Sequence, residues 1–342
     1  MTAKYLITGG AGFIGSNYVH RLLARREDVT IYDNLSRPGA ARNIAWLRQE
    51  HGPASFRLLE ADVRDASALA SAASDCTAIV HLAGQVAVTT SVLHPRADFE
   101  ANALGTFNVL EAARISGRNP AVLYASTNKV YGGMDDVPVL EKSTRWEYAN
   151  LPFGAPETQP LDFHSPYGCS KGCGDQYVRD YHRIYGLPTV VLRQSCIYGP
   201  RQFGVEDQGW VAWLVIAALT GRPITIYGDG KQVRDILFVD DLLDAYDLAL
   251  ANLQHSAGQV YNIGGGSQNT ISIWAEFGPL LEQIIGRPIP VAYSGWRPGD
   301  QRVFIADIRK AASELGWQPK HSVTQGLQRL ASWVQTNLPL FS

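Results

Sequence analysis

The segment Lys4-Tyr5-Leu6-Ile7-Thr8-Gly9-Gly10-Ala11-Gly12-Phe13-Ile14-Gly15 constrains this chain more than any other. An apolar run at 4–8 feeds a glycine-rich turn, and the turn opens a helical pattern at Phe13. Strand, tight turn and helix in that order begin a parallel α/β unit. Gly9, Gly12 and Gly15 let the backbone turn sharply, approach a pyrophosphate at the helix N-terminus, and pack helix on strand. Phe13 and Ile14 complete this expected dinucleotide loop. Asp33 ends the second strand, where a carboxylate accepts hydrogen bonds from both ribose hydroxyls and repels a 2′-phosphate. With Asn34 beside it, this favours NAD over NADP; Arg37 is the opposing feature. Asp62 and Val63 follow the third strand where an adenine edge would lie, and a solvent-facing turn is the alternative reading of Asp62.

The first two-thirds of the chain alternates apolar and amphipathic stretches. It predicts strands at 4–8, 29–32, 56–59, 78–81, 122–126 and 189–194, with helices at 13–25, 66–73, 96–116 and 166–185. The fold class is therefore α/β: a Rossmann-like, doubly wound parallel sheet with a smaller interleaved C-terminal substrate lobe. Beyond about Gly199 the rhythm changes, with helices at 210–220 and 272–285, and strands at 224–227 and 259–262. Residues 236–250 read as a strand and helix returning to the sheet. The expected division is a dinucleotide domain over 1–199 with 235–265 rejoining it, and a second lobe over 200–234 and 266–342.

Thirty basic against 32 acidic residues give a net charge of −2, which leaves no surplus to grip nucleic acid or anionic lipid. The longest apolar run, 210–219, is about half the length of a membrane span. The N-terminal segment reads as a strand, not a leader, so the expected location is cytoplasmic. Four cysteines are too few for a disulfide scaffold. Cys169 and Cys173 lie one turn apart on a helix without converging soft ligands, so no metal is expected.

Tyr167-Gly168-Cys169-Ser170-Lys171 puts a phenol and an ammonium on one helix face. A lysine beside a phenol favours phenolate and brings its pKa, about 10 unperturbed, toward neutrality. The same lysine can bond a nicotinamide ribose. Ser126-Thr127, at the end of a strand, offers a hydroxyl to the same substrate oxygen.

These strings, together with His81-Leu82-Ala83-Gly84, resemble the extended short-chain dehydrogenase/reductase superfamily over almost the whole chain. The resemblance sharpens toward the CDP-paratose 2-epimerase family at Gly84-Gln85-Val86-Ala87, at Ser126-Thr127-Asn128-Lys129-Val130-Tyr131-Gly132 and at Leu161-Asp162-Phe163-His164. Arg201-Gln202-Phe203, Asp207-Gln208-Gly209-Trp210 and Asp300-Gln301-Arg302 add to it. It implies Thr127, Tyr167 and Lys171 as catalytic triad, with Ser126 the alternative hydroxyl, and Leu82, Ala83, Gly84, Gln85 and Asn102 as further NAD contacts. Related dehydratases carry Asp-Glu where this chain has Asn128-Lys129, which argues against dehydration.

A nucleotide sugar needs cations for its pyrophosphate, and guanidinium forks at Arg234, Arg297 and Arg302 are the candidates. Gln208 and Trp210 are placed at the base or ribose, a core Trp being the alternative. Gln85, Thr89, Asn128, Ser195 and Cys196 flank the expected sugar. His164 caps or packs and stays outside the catalytic set. Gln194 and Cys196 stand where the best-known members carry His and Ser, which leaves CDP-glucose open beside CDP-paratose. The expected reaction is inversion at C2 of a CDP-hexose through a transient 2-ketone with retained NAD. A UDP-sugar 4-epimerase, a net dehydrogenase and a non-catalytic NAD-binding regulator are the alternatives, in that order. Apolar residues on helices 96–116 and 166–185 point to a homodimer, or a homotetramer.

Overall fold

The computed structural model describes residues 3–297 and 300–341. The chain divides into two units: Met1–Val130 with Phe163–Arg193 and Ala245–Tyr261, and Tyr131–Asp162 with Gln194–Asp244 and Asn262–Ser342. Segment 131–162, expected in the nucleotide domain, thus belongs to the second unit, as do residues 194–199 and 235–244.

A seven-stranded sheet organises the first unit. Its strands stand in the order Val260–Ile263, Thr189–Gln194, Ala121–Thr127, Ala78–His81, Lys4–Thr8, Asp28–Asp33, Arg57–Glu60. Lys4–Thr8 runs parallel to both neighbours, with Tyr5 opposite Val29 on one side and Ala78 on the other. The chain builds outward from this strand in one direction, then crosses to its other side for Ala78–His81. The carboxyl ends of these two strands therefore form a topological switch point, where doubly wound sheets bind ligands. Every residue of Ala78–His81 and of Thr189–Gln194 is buried, as expected for strands covered on both faces.

One sheet face packs on helices Ala66–Ala73, Gly105–Ile115 and Ser165–Tyr185, through a core that includes Leu69, Ile79, Val109, Leu110, Tyr124 and Val178. Local chemistry sets the helix ends. Asp65 caps the first of these by accepting from the N–H groups of Ser67 and Ala68, each at 3.0 Å. Pro166 stands in the first turn of the third, and Gly186, at φ 66°, ends it in the left-handed region.

The expected helix over 96–116 is three pieces: Pro95–Phe99, a π-helical turn at Glu100–Leu104, and Gly105–Ile115. One extra residue per turn does not disturb an apolar period enough to be seen in a sequence.

In the second unit, Val233–Phe238 pairs antiparallel with Thr270–Ser272 and parallel with Val303–Phe304 and Cys196–Tyr198. This corrects the expectation that the strand near Ile236 returns to the large sheet. All six of its residues are buried, and its apolar part, Ile236-Leu237-Phe238, looks like that of any central parallel strand. The strand that does complete the large sheet is Val260–Ile263. The expected helix at 272–285 begins only at Phe277, because Ser272 ends a strand and Pro279 is tolerated only in a first turn. Helix Trp210–Thr220 lies where expected, between Gly209 and Gly221 in left-handed conformations.

Candidate active site

At the switch point, Gly9 has φ 71°, and a Cβ there would stand 2.7 Å from the backbone nitrogen of Ala83. Only glycine lets the loop after the first strand lie this close to the loop after the fourth. Gly12 N–H donates to Gly9 O at 3.0 Å and closes the turn. Helix Phe13–Ala24 then starts with no side-chain cap and no acidic residue in its first turn. Its opening N–H groups face outward as an anion site of the kind a pyrophosphate fills.

Asp33 is 8% exposed. It accepts from Ala11 N–H at 3.0 Å and Leu35 N–H at 2.8 Å. Burial raises its pKa and these two donors oppose the rise. A carboxylate has roughly four acceptor positions, so capacity remains for two ribose hydroxyls. Asn34 donates instead to Asp62, at 2.8 Å. Asp62 also holds Arg64 through both oxygens at 2.9 Å, which pulls its pKa down to about 2. Val63 is buried, and its carbonyl accepts from Asn108 at 3.0 Å.

Leu82, Ala83, Gly84 and Gln85 follow the fourth strand directly. Leu82 N–H donates to Thr8 O at 3.0 Å, and Ala83 N–H to the Thr8 hydroxyl at 3.3 Å. At Gly84 a Cβ would lie 2.6 Å from Oδ1 of Asn102, so the glycine admits that carboxamide. His81 bridges the hydroxyls of Thr8 (2.7 Å) and Thr106 (3.0 Å), and burial lowers its pKa to about 3. It is a neutral strut.

Thr127, Tyr167 and Lys171 are brought together in the first unit, 7%, 8% and 8% exposed. Thr127 ends its strand, accepts from Lys129 N–H at 3.2 Å and donates to Asn128 Oδ1 at 3.3 Å. Ser126, the alternative hydroxyl, instead donates to Asp175 at 2.7 Å. Tyr167 is anchored through its backbone N–H, which donates to the buried Ser91 hydroxyl at 3.1 Å.

One expectation is corrected. Burial pushes the Tyr167 phenol up to about 12, with Thr127 opposing and Asp98 adding to the rise. Lys171 is not among the causes of this shift; its ammonium donates to Ala125 O at 2.6 Å and lies 4.2 Å from the Tyr124 ring centre. Burial brings Lys171 itself down to about 7, with Asp175 and Asp98 opposing. Sequence reasoning saw the spacing of the pair but not that both are buried. It also missed Ser91, Asp98 and Asp175. Asp98 and Asp175 bond Ser170 and Arg193, respectively 72 and 18 residues away in sequence, and no local motif marks them.

Gln85 and Asn128 are partly and fully buried beside this group, whereas Thr89 is exposed on helix Val88–Leu93. The other candidates belong to the second unit. Arg234 donates to Asp300 at 2.7 Å and to Val233 O at 2.8 Å. Arg297 lies 3.9 Å above the Tyr227 ring and 3.4 Å from Asp207. Arg302 is exposed, 4.6 Å over the Trp146 ring. Ser195 donates to the buried carboxylate of Asp235, and Trp210 reaches Cys196 Sγ at 3.5 Å while packing its ring on Phe277. Gln208 closes a tight loop through reciprocal backbone bonds with Val205, at 2.9 and 3.0 Å.

Residues 6–330 match the family model described as GDP-mannose 4,6 dehydratase. The chain belongs to this family of extended short-chain dehydrogenase/reductases. CDP-paratose 2-epimerase of Salmonella typhi is 43% identical, over 97% of this chain and 99% of its own. The structure of UDP-glucose 4-epimerase from Thermotoga maritima, with UDP-glucose, has a TM-score of 0.83 at 32% identity, covering 98% of this chain and 99% of that one. That of dTDP-glucose 4,6-dehydratase from Streptomyces venezuelae, with NAD and TYD bound, has a TM-score of 0.83 at 31% identity and the same coverage. The family's relatives are thus nucleotide-sugar epimerases and dehydratases. Among the described residues, no helix is long and apolar enough to cross a membrane.

Proposed function

We propose that this chain is an NAD-dependent nucleotide-sugar epimerase that inverts C2 of a CDP-hexose, CDP-paratose to CDP-tyvelose or CDP-glucose to CDP-mannose. The observation that carries the reading is the 43% identity, over nearly the full length of both chains, to a CDP-paratose 2-epimerase. Asn128-Lys129 supports it, since it lacks the Asp-Glu carboxyl pair that serves as acid and base in the expulsion of water from a sugar.

The residues fit the cofactor. Gly9, Gly12, Phe13 and Ile14 would hold the pyrophosphate, Asp33 with Asn34 the adenosine ribose, and Asp62-Val63 the adenine edge. Leu82–Gln85, Asn102, Tyr167 and Lys171 would hold the nicotinamide side. NAD, when bound, supplies the hydride acceptor and donor and a positive ring charge. Tyr167 takes the proton of the sugar hydroxyl and returns it after the ketose has presented its other face. Thr127 holds the reacting oxygen. Lys171, with a pKa of about 7, passes protons near neutrality. For the substrate we assign Gln85, Thr89, Asn128, Ser195 and Cys196 to the sugar, Gln208 and Trp210 to the nucleoside, and Arg234, Arg297 and Arg302 to the diphosphate.

A UDP-sugar 4-epimerase is the second reading, favoured by the likeness to the Thermotoga maritima enzyme. Proton NMR of CDP-paratose, CDP-glucose and UDP-glucose, each incubated with purified protein and no added NAD, tests both. Conversion of a CDP-sugar to its C2 epimer is expected; inversion of UDP-glucose at C4 would transfer the assignment, and accumulating NADH would make the protein a net dehydrogenase.

We further place self-association on the helices that carry Phe99, Phe107, Ile115, Tyr177, Ile184 and Tyr185. These residues are 38% to 66% exposed on one unit, and Phe107 and Tyr177 join their rings 5.9 Å apart. Light scattering should give a dimer mass, and Ile184→Glu should reduce it to a monomer. We assign the reaction to the cytoplasm, consistent with cysteines that form no disulfide among the described residues.

A further inference from the structure

Asp98 is 1% exposed, and its charge is met by a closed ring of hydrogen bonds. The Ser170 hydroxyl donates to Oδ2 at 2.5 Å, while Gln85 Nε2 and Asn102 Nδ2 donate to Oδ1 at 2.9 and 3.1 Å. Asn102 also donates to Gln85 O and to Ser170 Oγ, both at 3.0 Å, and accepts from Gln85 N–H at 2.9 Å. Asn102 sits in the π-helical turn Glu100–Leu104. Wide turns of this kind collect at functional sites because they re-aim a side chain without ending the helix.

A buried carboxylate among neutral donors costs more than a neutral hub of the same shape would. What the ring joins suggests why one is kept. Gln85 lies in the loop that follows the fourth strand at the switch point. Ser170 lies between Tyr167 and Lys171 on the catalytic helix. Neither segment is near the other in sequence, and Asp98 holds both through opposite oxygens.

We propose that Asp98 is a positioning residue that locks the loop Leu82–Gln85 to the helical turn carrying Tyr167 and Lys171, so that binding the cofactor and setting the catalytic pair are one event. The inference rests on the NAD site proposed above. It assigns Asp98 no contact with substrate or cofactor; it acts through Gln85, Asn102 and Ser170.

Asp98→Asn keeps the shape and removes the charge, and its amide can keep the Gln85 and Asn102 donors only if the Ser170 hydroxyl turns its proton away to Tyr167 O. Calorimetric titration of the NAD-stripped protein with NAD is expected to show affinity reduced about tenfold or more, the scale for hydrogen bonds to a charged group. In turnover, kcat should fall at least as far, whatever KM for the sugar nucleotide does through Gln85. The alkaline limb of the kcat profile should move down by about half a pH unit or more. The other charged or titratable groups facing this pocket, Tyr167, Lys171 and Asp175 on the helix, Tyr124 and His81 on the sheet, and Arg193 behind Asp175, are unchanged in the variant. A residue with only a packing role would lower stability without moving that limb.

Ser170→Ala breaks one link and keeps the charge. It should weaken NAD severalfold, and adding it to Asp98→Asn should cost little more, since both cut the same connection. NAD affinity within twofold of wild type in Asp98→Asn, an unmoved limb, or full additivity of the two changes would overturn the proposal. Should Asp98→Asn not fold, unchanged NAD affinity in both Ser170→Ala and Gln85→Ala overturns it. A wild-type protein that binds NAD but turns over no sugar nucleotide defeats the proposed reaction, while the NAD titration still decides the role of Asp98.

Discussion

Asp175 and Arg193 form an ion pair whose side chains are 0% and 2% exposed. The guanidinium meets both carboxylate oxygens at 2.9 Å, and Ser126 and Gln176 donate to the same carboxylate at 2.7 and 2.8 Å. The pair ties helix Ser165–Tyr185, which carries Tyr167 and Lys171, to strand Thr189–Gln194. Asp175→Asn would take the carboxylate charge away from a guanidinium that is 2% exposed. Breaking a buried pair from one side costs about 3–5 kcal/mol, because the surviving charge keeps its desolvation penalty. For a domain of about 150–250 residues each kcal/mol moves Tm by roughly 2–4 °C, so a drop of roughly 6–20 °C is expected. Differential scanning calorimetry measures it directly. The control is Asp175→Leu with Arg193→Met: replacing both charges by apolar groups of similar volume is commonly neutral or stabilising, so this variant should recover most of the loss. A drop below about 3 °C in Asp175→Asn, or a double variant as unstable as the single one, would show that the pair does not carry the energy its burial implies.

Three further outcomes are expected. Burial pushes Asp235 up to about 6 from 3.8, so the folded state holds its proton longer and this group's contribution to stability falls as pH rises from about 4 to 6; melting curves of Asp235→Asn across that window should be flatter than wild type, and an unchanged slope would count against the assignment. Lys171 acts in the opposite sense: its pKa falls to about 7 from 10.5, the unfolded chain binds more protons between those values, and stability should rise with pH there, a trend that Lys171→Met should lose. Tyr167→Phe should retain NAD yet lower kcat by about 10²–10⁴, the range of general acid–base catalysis; full epimerase activity in this variant would remove Tyr167 from the mechanism.

Much of the first unit was legible because its chemistry is local. Strands at 4–8, 78–81 and 189–194 and the helices at 66–73 and 210–220 lie where their apolar patterns place them. The glycine loop and Asp33 are legible for the same reason, since turn geometry and strand ends are written in adjacent residues. Three things were not. The partner of a fully buried strand is invisible in its own composition, so Val233–Phe238 was expected in the wrong sheet. The π-helical turn adds a residue without breaking the apolar stripe. Protonation behaviour depends on burial and on partners distant in sequence, so Tyr167 rises where spacing to Lys171 alone predicts a fall.

The order in which the large sheet is assembled bears on how the chain reaches its native state. Its first strand, Lys4–Thr8, lies beside the central Ala78–His81, and its last, Val260–Ile263, arrives only after segments 131–162 and 194–244 have been laid down for the other unit. During synthesis the sheet is therefore a six-stranded intermediate for as long as it takes to make some seventy residues, with Thr189–Gln194 as an open edge. At about 5–20 residues per second that exposure lasts several seconds. An unpaired strand with the apolar centre Val190-Val191-Leu192 is a template for another nascent chain, so the yield of this protein on rapid overexpression should depend on temperature and chaperone supply more than its final stability would suggest.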